Sequence, residues 1–383
     1  MKVALFADTY LPQINGVTNT LSKLVRYYEE KGIEYKMFVP KYDTDVPDHN
    51  TERFYSIKFL FYPESRITFP NAHRINSILS GFQPDIIHVM NEFNLGIAGM
   101  NYGRKHGIPT ISTYTTNFSQ YTDYYKINLL KEPIWSYMKW FHTQNDLTLC
   151  PSTAARELLY SQGIRNTKIF SRGIDSGQFQ PEHRSGQLRR DLGIADKLAF
   201  LYVGRVSNEK DLDILSSSYH TIHKRFGAKA AMVITGDGPY LEKCRQMFPG
   251  DTIFTGFLRG KELAQIYASC DIFVCPSSTE TFGNVVLEAM ASGIPVIGAD
   301  AGGVGETIQN GYTGLKFASR NAEDLGKCMA ILLEDTKLRA ELSKNGREYA
   351  VNRSWNKIFD GLMETYRQVI EEKNLIRKIP LAI

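Results

Sequence analysis

A chain of 383 residues, 43% hydrophobic and 22% charged, is long and apolar enough for two ordinary domains with separate cores. Its net charge of +4 is too weak at this length to support nucleic-acid binding, and no run approaches the ~20 apolar residues that span a bilayer. Five cysteines, without any Cys-x-x-Cys spacing, point to buried free thiols in a reducing cytoplasm and away from a zinc site.

The chain opens with a strand over Lys2 to Ala7, too short an apolar run for a signal-peptide core. A loop holding Pro12 and Gly16 follows, then a helix from Thr18 to Lys31 stopped by Gly32, and a strand from Glu34 to Val39. This is a Rossmann-like start without a Gly-x-Gly-x-x-Gly fingerprint, so a dinucleotide site is not supported. Gly16 reads equally as a turn glycine and as a point of close backbone approach to a ligand.

Between Arg53 and Phe69 the chain carries six aromatic and three basic residues against one acid. That pattern fits a half-buried strand and a surface facing an anionic leaflet about equally. A second such region runs from Tyr121 to Phe141, with Lys126, Trp135, Lys139 and Trp140. Strands continue at Asp85 to Val89, Pro109 to Tyr114 and Asp146 to Pro151, and the loops after them are expected to face a ligand. His88 reads as a core histidine at a strand end, and Glu92 just beyond it as the better candidate for touching a ligand. Tyr114 and Asn117 flank the next loop, where a turn or cap role for Asn117 is an equal alternative.

A polar stretch from Glu182 to Asp196 marks a linker, dividing the chain into domains 1–180 and 181–354. A new strand, Leu198 to Val203, ends in a turn flanked by Arg205 and Lys210, where fixed positive charge would neutralise a bound anion; surface ion pairing is the plain alternative. The Asp-x-Asp triplets at Asp43–Asp45 and Asp211–Asp213 read as a polar loop and as carboxylates in a first helical turn, not as metal ligands. After a strand at Ala230 to Thr235, the Gly236-Asp-Gly238-Pro239 turn is tight enough to pass close to a nucleotide. The strand Asp271 to Pro276 leads into Glu280, and Phe282-Gly283-Asn284 opens a helix carrying Glu288. Free N–H groups and the positive dipole end at such a start favour a phosphate, with the two carboxylates placed to accept hydrogen bonds from hydroxyls. Ser354 begins a last helix with Ile358, Leu362, Tyr366 and Ile370 on one face.

The segments Gly204-Arg205…Glu209-Lys210, Gly256-Phe-Leu258, Pro276-Ser-Ser278, Glu280-Thr-Phe-Gly283, Glu288-Ala-Met-Ala-Ser-Gly293 and Gly302-Gly-Val-Gly-Glu306 resemble the donor-site signature of glycosyltransferase family 4. In that family the two Glu residues are likewise separated by seven others. Phe61-Tyr-Pro-Glu64 and Phe69-Pro70 look like its lipid-glycosylating branch, which includes mannosyl-lipid and sulfoquinovosyl-diacylglycerol synthases.

The resemblance implies an α/β protein of GT-B architecture: two Rossmann-like domains facing a cleft, with the helix 355–383 crossing back to the first. It implies a retaining transfer of a hexosyl unit from a GDP- or UDP-linked sugar to a hydroxyl, with no metal or other cofactor. Asn15 and Gly16 approach the donor diphosphate; Arg205, Lys210 and the helix start at Phe282, Gly283 and Asn284 stabilise it. Glu280 positions the sugar and Glu288 the ribose, while Gly236, Leu258 and Arg259 line the nucleotide. Thr115 stands where the family usually has histidine; it bonds but cannot hold a positive charge, so it is assigned a positioning role beside Glu92, Tyr114 and Asn117 on the acceptor side. The expected acceptor is a membrane lipid, reached by a cytoplasmic protein held peripherally on the anionic inner face of the cell membrane. Hydrolysis or epimerisation of a nucleotide sugar, or sensing without turnover, are the alternatives.

Overall fold

The computed structural model describes residues 1–13, 15–43, 48–59, 62–115, 131–280 and 282–378, with backbone alone at 59, 62–65 and 378. The described residues form two compact units, one of residues 1–171 with 356–378 and one of residues 172–355.

In the first unit the strands are β1 (Lys2–Phe6), β2 (Glu34–Pro40), β3 (Thr51–Phe54), β4 (Ser56–Phe59), β5 (Tyr62–Thr68), β6 (Ile86–Val89), β7 (Thr110–Thr113), β8 (Leu147–Cys150) and β9 (Thr167–Ile169). Seven of them pair in parallel in the order β3-β2-β1-β6-β7-β8-β9, and β4 with β5 forms an antiparallel hairpin. β6, β7, β8 and all but the first residue of β1 are buried throughout, since helices cover a parallel sheet on both faces, and the polar Thr110, Ser112 and Thr113 of β7 are buried with them. The order reverses between β1 and β6, which makes the ends of those two strands the ligand-binding position of an open α/β sheet.

The second unit repeats the plan with β10 (Leu198–Val203), β11 (Ala230–Thr235), β12 (Ile253–Gly256), β13 (Ile272–Cys275), β14 (Val296–Ala299) and β15 (Gly314–Phe317), parallel in the order β12-β11-β10-β13-β14-β15. Its switch lies between β10 and β13. Residues 172–180 pack with this unit, because Ile174 and Phe179 belong to its core with Leu201, Tyr267 and Val286.

The last helix, Trp355–Lys378, belongs to the first unit from residue 356 onward. Its buried stripe is Phe359, Leu362, Met363, Tyr366 and Val369. The face is therefore turned by about one residue from the one expected through Ile358 and Ile370, because a stripe spaced by three and four follows the helix more closely than a spacing of four alone. The Tyr366 hydroxyl reaches the buried Tyr28 hydroxyl (3.0 Å) and His88 Nδ1, and His88 Nε2 meets Thr113 Oγ1 at 2.6 Å. His88 is thus a fully partnered core residue. All five cysteines are free and buried.

Candidate functional site in the second unit

The ends of β10, β11 and β12 are bonded in series. The Gly204 N–H reaches the Thr235 carbonyl (3.0 Å) and the Gly236 N–H reaches the Gly256 carbonyl (2.9 Å). Gly236 sits at φ 142°, and a Cβ there would lie 1.8 Å from the Gly204 carbonyl oxygen, so the strand ends themselves require glycine.

Beyond β10 the chain makes a short 3-10 turn, Asn208–Lys210, and Asp211 adopts left-handed backbone at φ 51°. This turn is sewn to the loop after β13. The Thr279 hydroxyl donates to the Glu209 carbonyl (3.0 Å), and Asp211 Oδ2 accepts from both the N–H (2.8 Å) and the hydroxyl (2.6 Å) of Ser278. Lys210 Nζ donates to Glu280 Oε1 at 2.6 Å, with the two side chains 16% and 25% exposed. The cation and carboxylate singled out in the sequence are therefore direct partners. Asp211, read as a dipole carboxylate, does not cap its own helix, Leu212–Phe226, through its side chain; its carboxylate is turned to Ser278, with Arg320 Nε 3.7 Å from the other oxygen.

Glu280 is also held from behind, where its carbonyl accepts from the Gly303 N–H at 2.9 Å. The eight-residue helix Asn284–Ala291 then starts at Gly283, whose φ of 79° places a Cβ 2.9 Å from Val304 Cγ2. A glycine is needed there, and it offers no side-chain acceptor to the first N–H groups of the helix. Phe282 is buried in the core and anchors this entry.

One turn into the helix, Glu288 Oε2 accepts from the Tyr267 hydroxyl at 2.9 Å. Burial, and then the Glu288 charge, hold that hydroxyl far above its usual pKa, so it stays a donor. Tyr267 lies on the helix Gly260–Ser269 and carried no sequence signal beyond its place on an apolar face. Leu258 packs against the unit's core, while Arg259 is exposed just before that helix. Arg205 follows Gly204, and its carbonyl accepts from the buried Tyr202 hydroxyl at 2.8 Å.

In the first unit Asn15 caps the helix Gly16–Lys31 through the Thr18 N–H (2.9 Å) and donates to Thr9 Oγ1 (3.0 Å). Among the described residues a Cβ on Gly16 would meet nothing within 4 Å, so their packing places no demand for glycine there. Glu92 is buried: its side chain is 2% exposed, neither carboxylate oxygen has a hydrogen bond among the described residues, and His142 Nε2 stands 3.5 Å away. His142 Nδ1 is in turn 2.9 Å from Ser112 Oγ, the Tyr114 ring meets His142 edge-on, and the Tyr137 hydroxyl donates to the Glu92 carbonyl. Glu92 and Tyr114 thus lie in one buried polar cluster that sequence reasoning had not connected to His142. Asp8, at the end of β1, accepts from the N–H groups of Leu95 (3.0 Å) and Gly96 (3.2 Å); burial pushes its pKa up to about 7. Thr115 follows Tyr114 directly, and Asn117 lies outside the described residues.

Comparison with known proteins gives the family and the fold class. A family model described as Glycosyltransferase Family 4 matches residues 14–178, and one described as Glycosyl transferases group 1 matches residues 185–349. The chain is 33% identical to the sulfoquinovosyl transferase SQD2 of Arabidopsis thaliana over 92% of this chain and 71% of that one. It is 33% identical to a GDP-mannose-dependent alpha-mannosyltransferase of Mycobacterium tuberculosis over 96% and 97%. Similarity to the alpha-monoglucosyldiacylglycerol synthase of Streptococcus pneumoniae is 32% identity over 78% and 70%. The sucrose-phosphate synthase structure from Thermosynechococcus elongatus matches with a TM-score of 0.78 and 21% identity, covering 97% of this chain and 99% of that one. Two Rossmann-like domains of this kind define the GT-B class of glycosyltransferases. The chain belongs to glycosyltransferase family 4, and it resembles the lipid-glycosylating branch.

Proposed function

We propose that this glycosyltransferase moves a hexosyl unit from a GDP- or UDP-linked sugar to a hydroxyl of a membrane lipid, with retention of anomeric configuration. The observation that carries the donor assignment is the contact of Lys210 with Glu280 just before a helix that must begin with glycine. A diphosphate brings more negative charge than one carboxylate, so it takes Lys210 from Glu280 and leaves Glu280 to the sugar hydroxyls. Arg205, Lys210 and the N–H groups at Asn284 stabilise the leaving diphosphate, and this fixed positive charge makes a divalent metal or other cofactor unnecessary. Glu288, oriented by Tyr267, holds the ribose. Gly236, Leu258, Arg259 and Phe282 shape the nucleotide's surroundings. The acceptor oxygen bonds to the anomeric carbon as the bond to the leaving phosphate breaks, and that phosphate takes the proton.

The relatives that act on GDP-mannose and form a glucosyldiacylglycerol support the donor and acceptor classes. Exposed Tyr55, Ile57, Ile67 and Phe69 surround the β4–β5 hairpin with Lys58, and Trp140 with Lys139 is exposed on the helix Lys131–Thr143. These groups suit a peripheral site on the inner face of the cell membrane. Trp135 is buried in the core, and Arg66 is bonded to Ser56 and stacked on Tyr42, so neither serves that surface. Among the described residues no helix is long and apolar enough to cross a membrane.

Glu92 and Tyr114 support the acceptor side, with Thr115 as a positioning group. Thr115 in place of the family's histidine also motivates a second reading, a sensor that binds a nucleotide sugar without turnover. The test is purified protein with a panel of nucleotide sugars, with and without membrane lipids, read by mass spectrometry. New glycolipid made only with lipid present is expected. Nucleotide release without lipid points to hydrolysis, and binding without release points to the sensor.

A further inference from the structure

We infer that Asp211 is a positioning residue that fixes Glu280 for the sugar, an assignment that rests on the donor reading above. Asp211 is 5% exposed and occupies left-handed backbone, a region that residues with a Cβ enter rarely and aspartate more readily than most. Its carboxylate does not cap the helix that it precedes. Instead it accepts two bonds from Ser278, one from backbone and one from the hydroxyl, two residues before Glu280.

Those two bonds fix both the path and the rotamer at Ser278. The adjacent carbonyl of Glu209 takes the Thr279 hydroxyl, and the Glu280 carbonyl takes the Gly303 N–H. Three consecutive residues are thereby tied, the first two to the turn that carries Lys210. Asp211 is covalently next to Lys210, so the same residue sets the cation and the carboxylate in mutual register. Arg320, itself left-handed at φ 60°, lies 3.7 Å from the second oxygen of Asp211 and holds that carboxylate from the other side. The charge of Asp211 is thus directed into loop geometry.

The reading makes a distinction that simple destabilisation does not. Loosening the 278–280 loop weakens contacts to the sugar, while the diphosphate keeps Arg205, Lys210 and the helix start. The experiment is calorimetry with UDP-glucose, GDP-mannose, UDP and GDP on wild type, Asp211→Ala, Asp211→Asn, Ser278→Ala, Glu280→Ala and the Asp211→Ala/Glu280→Ala pair. Amide exchange at residue 278 is measured on the ligand-free proteins. Asp211→Ala is expected to lose about tenfold or more in affinity for the nucleotide sugar that wild type binds, and less than about threefold for its nucleoside diphosphate. Asp211→Asn, which keeps one acceptor oxygen, recovers part of the loss, and Ser278→Ala reproduces part of it. Asp211→Ala adds nothing once Glu280 is already alanine.

Equal losses for nucleotide sugar and nucleoside diphosphate, or a full additional loss in the double variant, overturn the assignment. Should Asp211→Ala fail to fold, Ser278→Ala and Asp211→Asn carry the same comparison. Wild-type protein that binds none of the four ligands overturns the donor reading and this role with it. Unchanged exchange at residue 278 in Asp211→Ala overturns the clasp alone.

Discussion

The Tyr366 hydroxyl and His88 Nδ1 are hydrogen-bonded across 278 residues of sequence, at the centre of a buried chain that runs from Thr113 through His88 and Tyr366 to Tyr28. This chain fastens the C-terminal helix to β6, β7 and the first helix of the same unit. Removing its middle member leaves polar groups without partners on both sides, and that costs more than the lost bond itself. Tyr366→Phe is therefore expected to destabilise the first unit by about 1–3 kcal/mol with little loss of volume. Urea unfolding followed by a first-unit probe checks it, and an unchanged midpoint shows that Tyr28 and His88 re-pair.

Lys210 and Glu280 neutralise each other, and the proposed chemistry needs the cation more than the fold does. Lys210→Ala is expected to lower turnover by about 10²–10³, the usual loss when one stabilising donor is removed from a developing anion. Lys210→Arg retains part of the activity. Turnover within a few-fold of wild type in Lys210→Ala removes this residue from the leaving-group role.

For Glu288 the expected effect is on binding. Glu288→Gln keeps shape but loses a charged acceptor, weakening nucleotide affinity by about tenfold or more. Tyr267→Phe frees the carboxylate to move and produces a smaller loss in the same direction. Calorimetry that returns wild-type affinity for Glu288→Gln takes the ribose contact away from it.

Asp8 links the fold to pH. Burial raises its folded-state pKa from 3.8 to about 7, against the opposing pull of the Leu95 and Gly96 N–H groups. Its stabilising contribution is fully present below about 4 and is lost as pH rises through about 7, because the charged form is the disfavoured one in the folded state. Asp8→Asn removes that titration, so the first unit of wild type should lose stability relative to Asp8→Asn between pH 4 and pH 7, by about 4 kcal/mol at most. Parallel stability curves for the two proteins rule out a raised pKa.

Membrane attachment is tested at the exposed cations. Replacing Lys58 and Lys139 by glutamine should reduce binding to anionic vesicles at low salt and leave binding to neutral vesicles little changed. Replacing Tyr55 and Phe69 by serine should weaken both. Wild-type behaviour in every variant returns the acceptor to the aqueous phase.

The donor-side residues were legible because their chemistry is local. Lys210 follows an apolar strand, Glu280 precedes a helix and Gly283 opens it, but the family resemblance singled them out as site residues, and only the strand order places them beside one switch point. Gly236 was legible as a tight turn, and the tertiary structure supplies the cause, a Gly204 carbonyl against which no Cβ fits. Tyr267, Asp211 and His142 were not read as site residues. Each acts through a partner distant in sequence, and an isolated Tyr on an apolar face, an Asp before a helix or a His near a helix end has the pattern of an ordinary structural residue.

The sequence by itself determined two parallel-sheet units and the family motif, because hydrophobic period, glycine placement and helix starts are properties of short stretches of chain. Only the tertiary structure decided that the last helix buries Phe359 and Met363, that Glu92 is enclosed beside His142, and that Asp211 turns to Ser278 in place of its own helix. Those outcomes depend on which distant groups meet in a close-packed interior, where a shift of one residue changes every partner, and no local pattern carries that information.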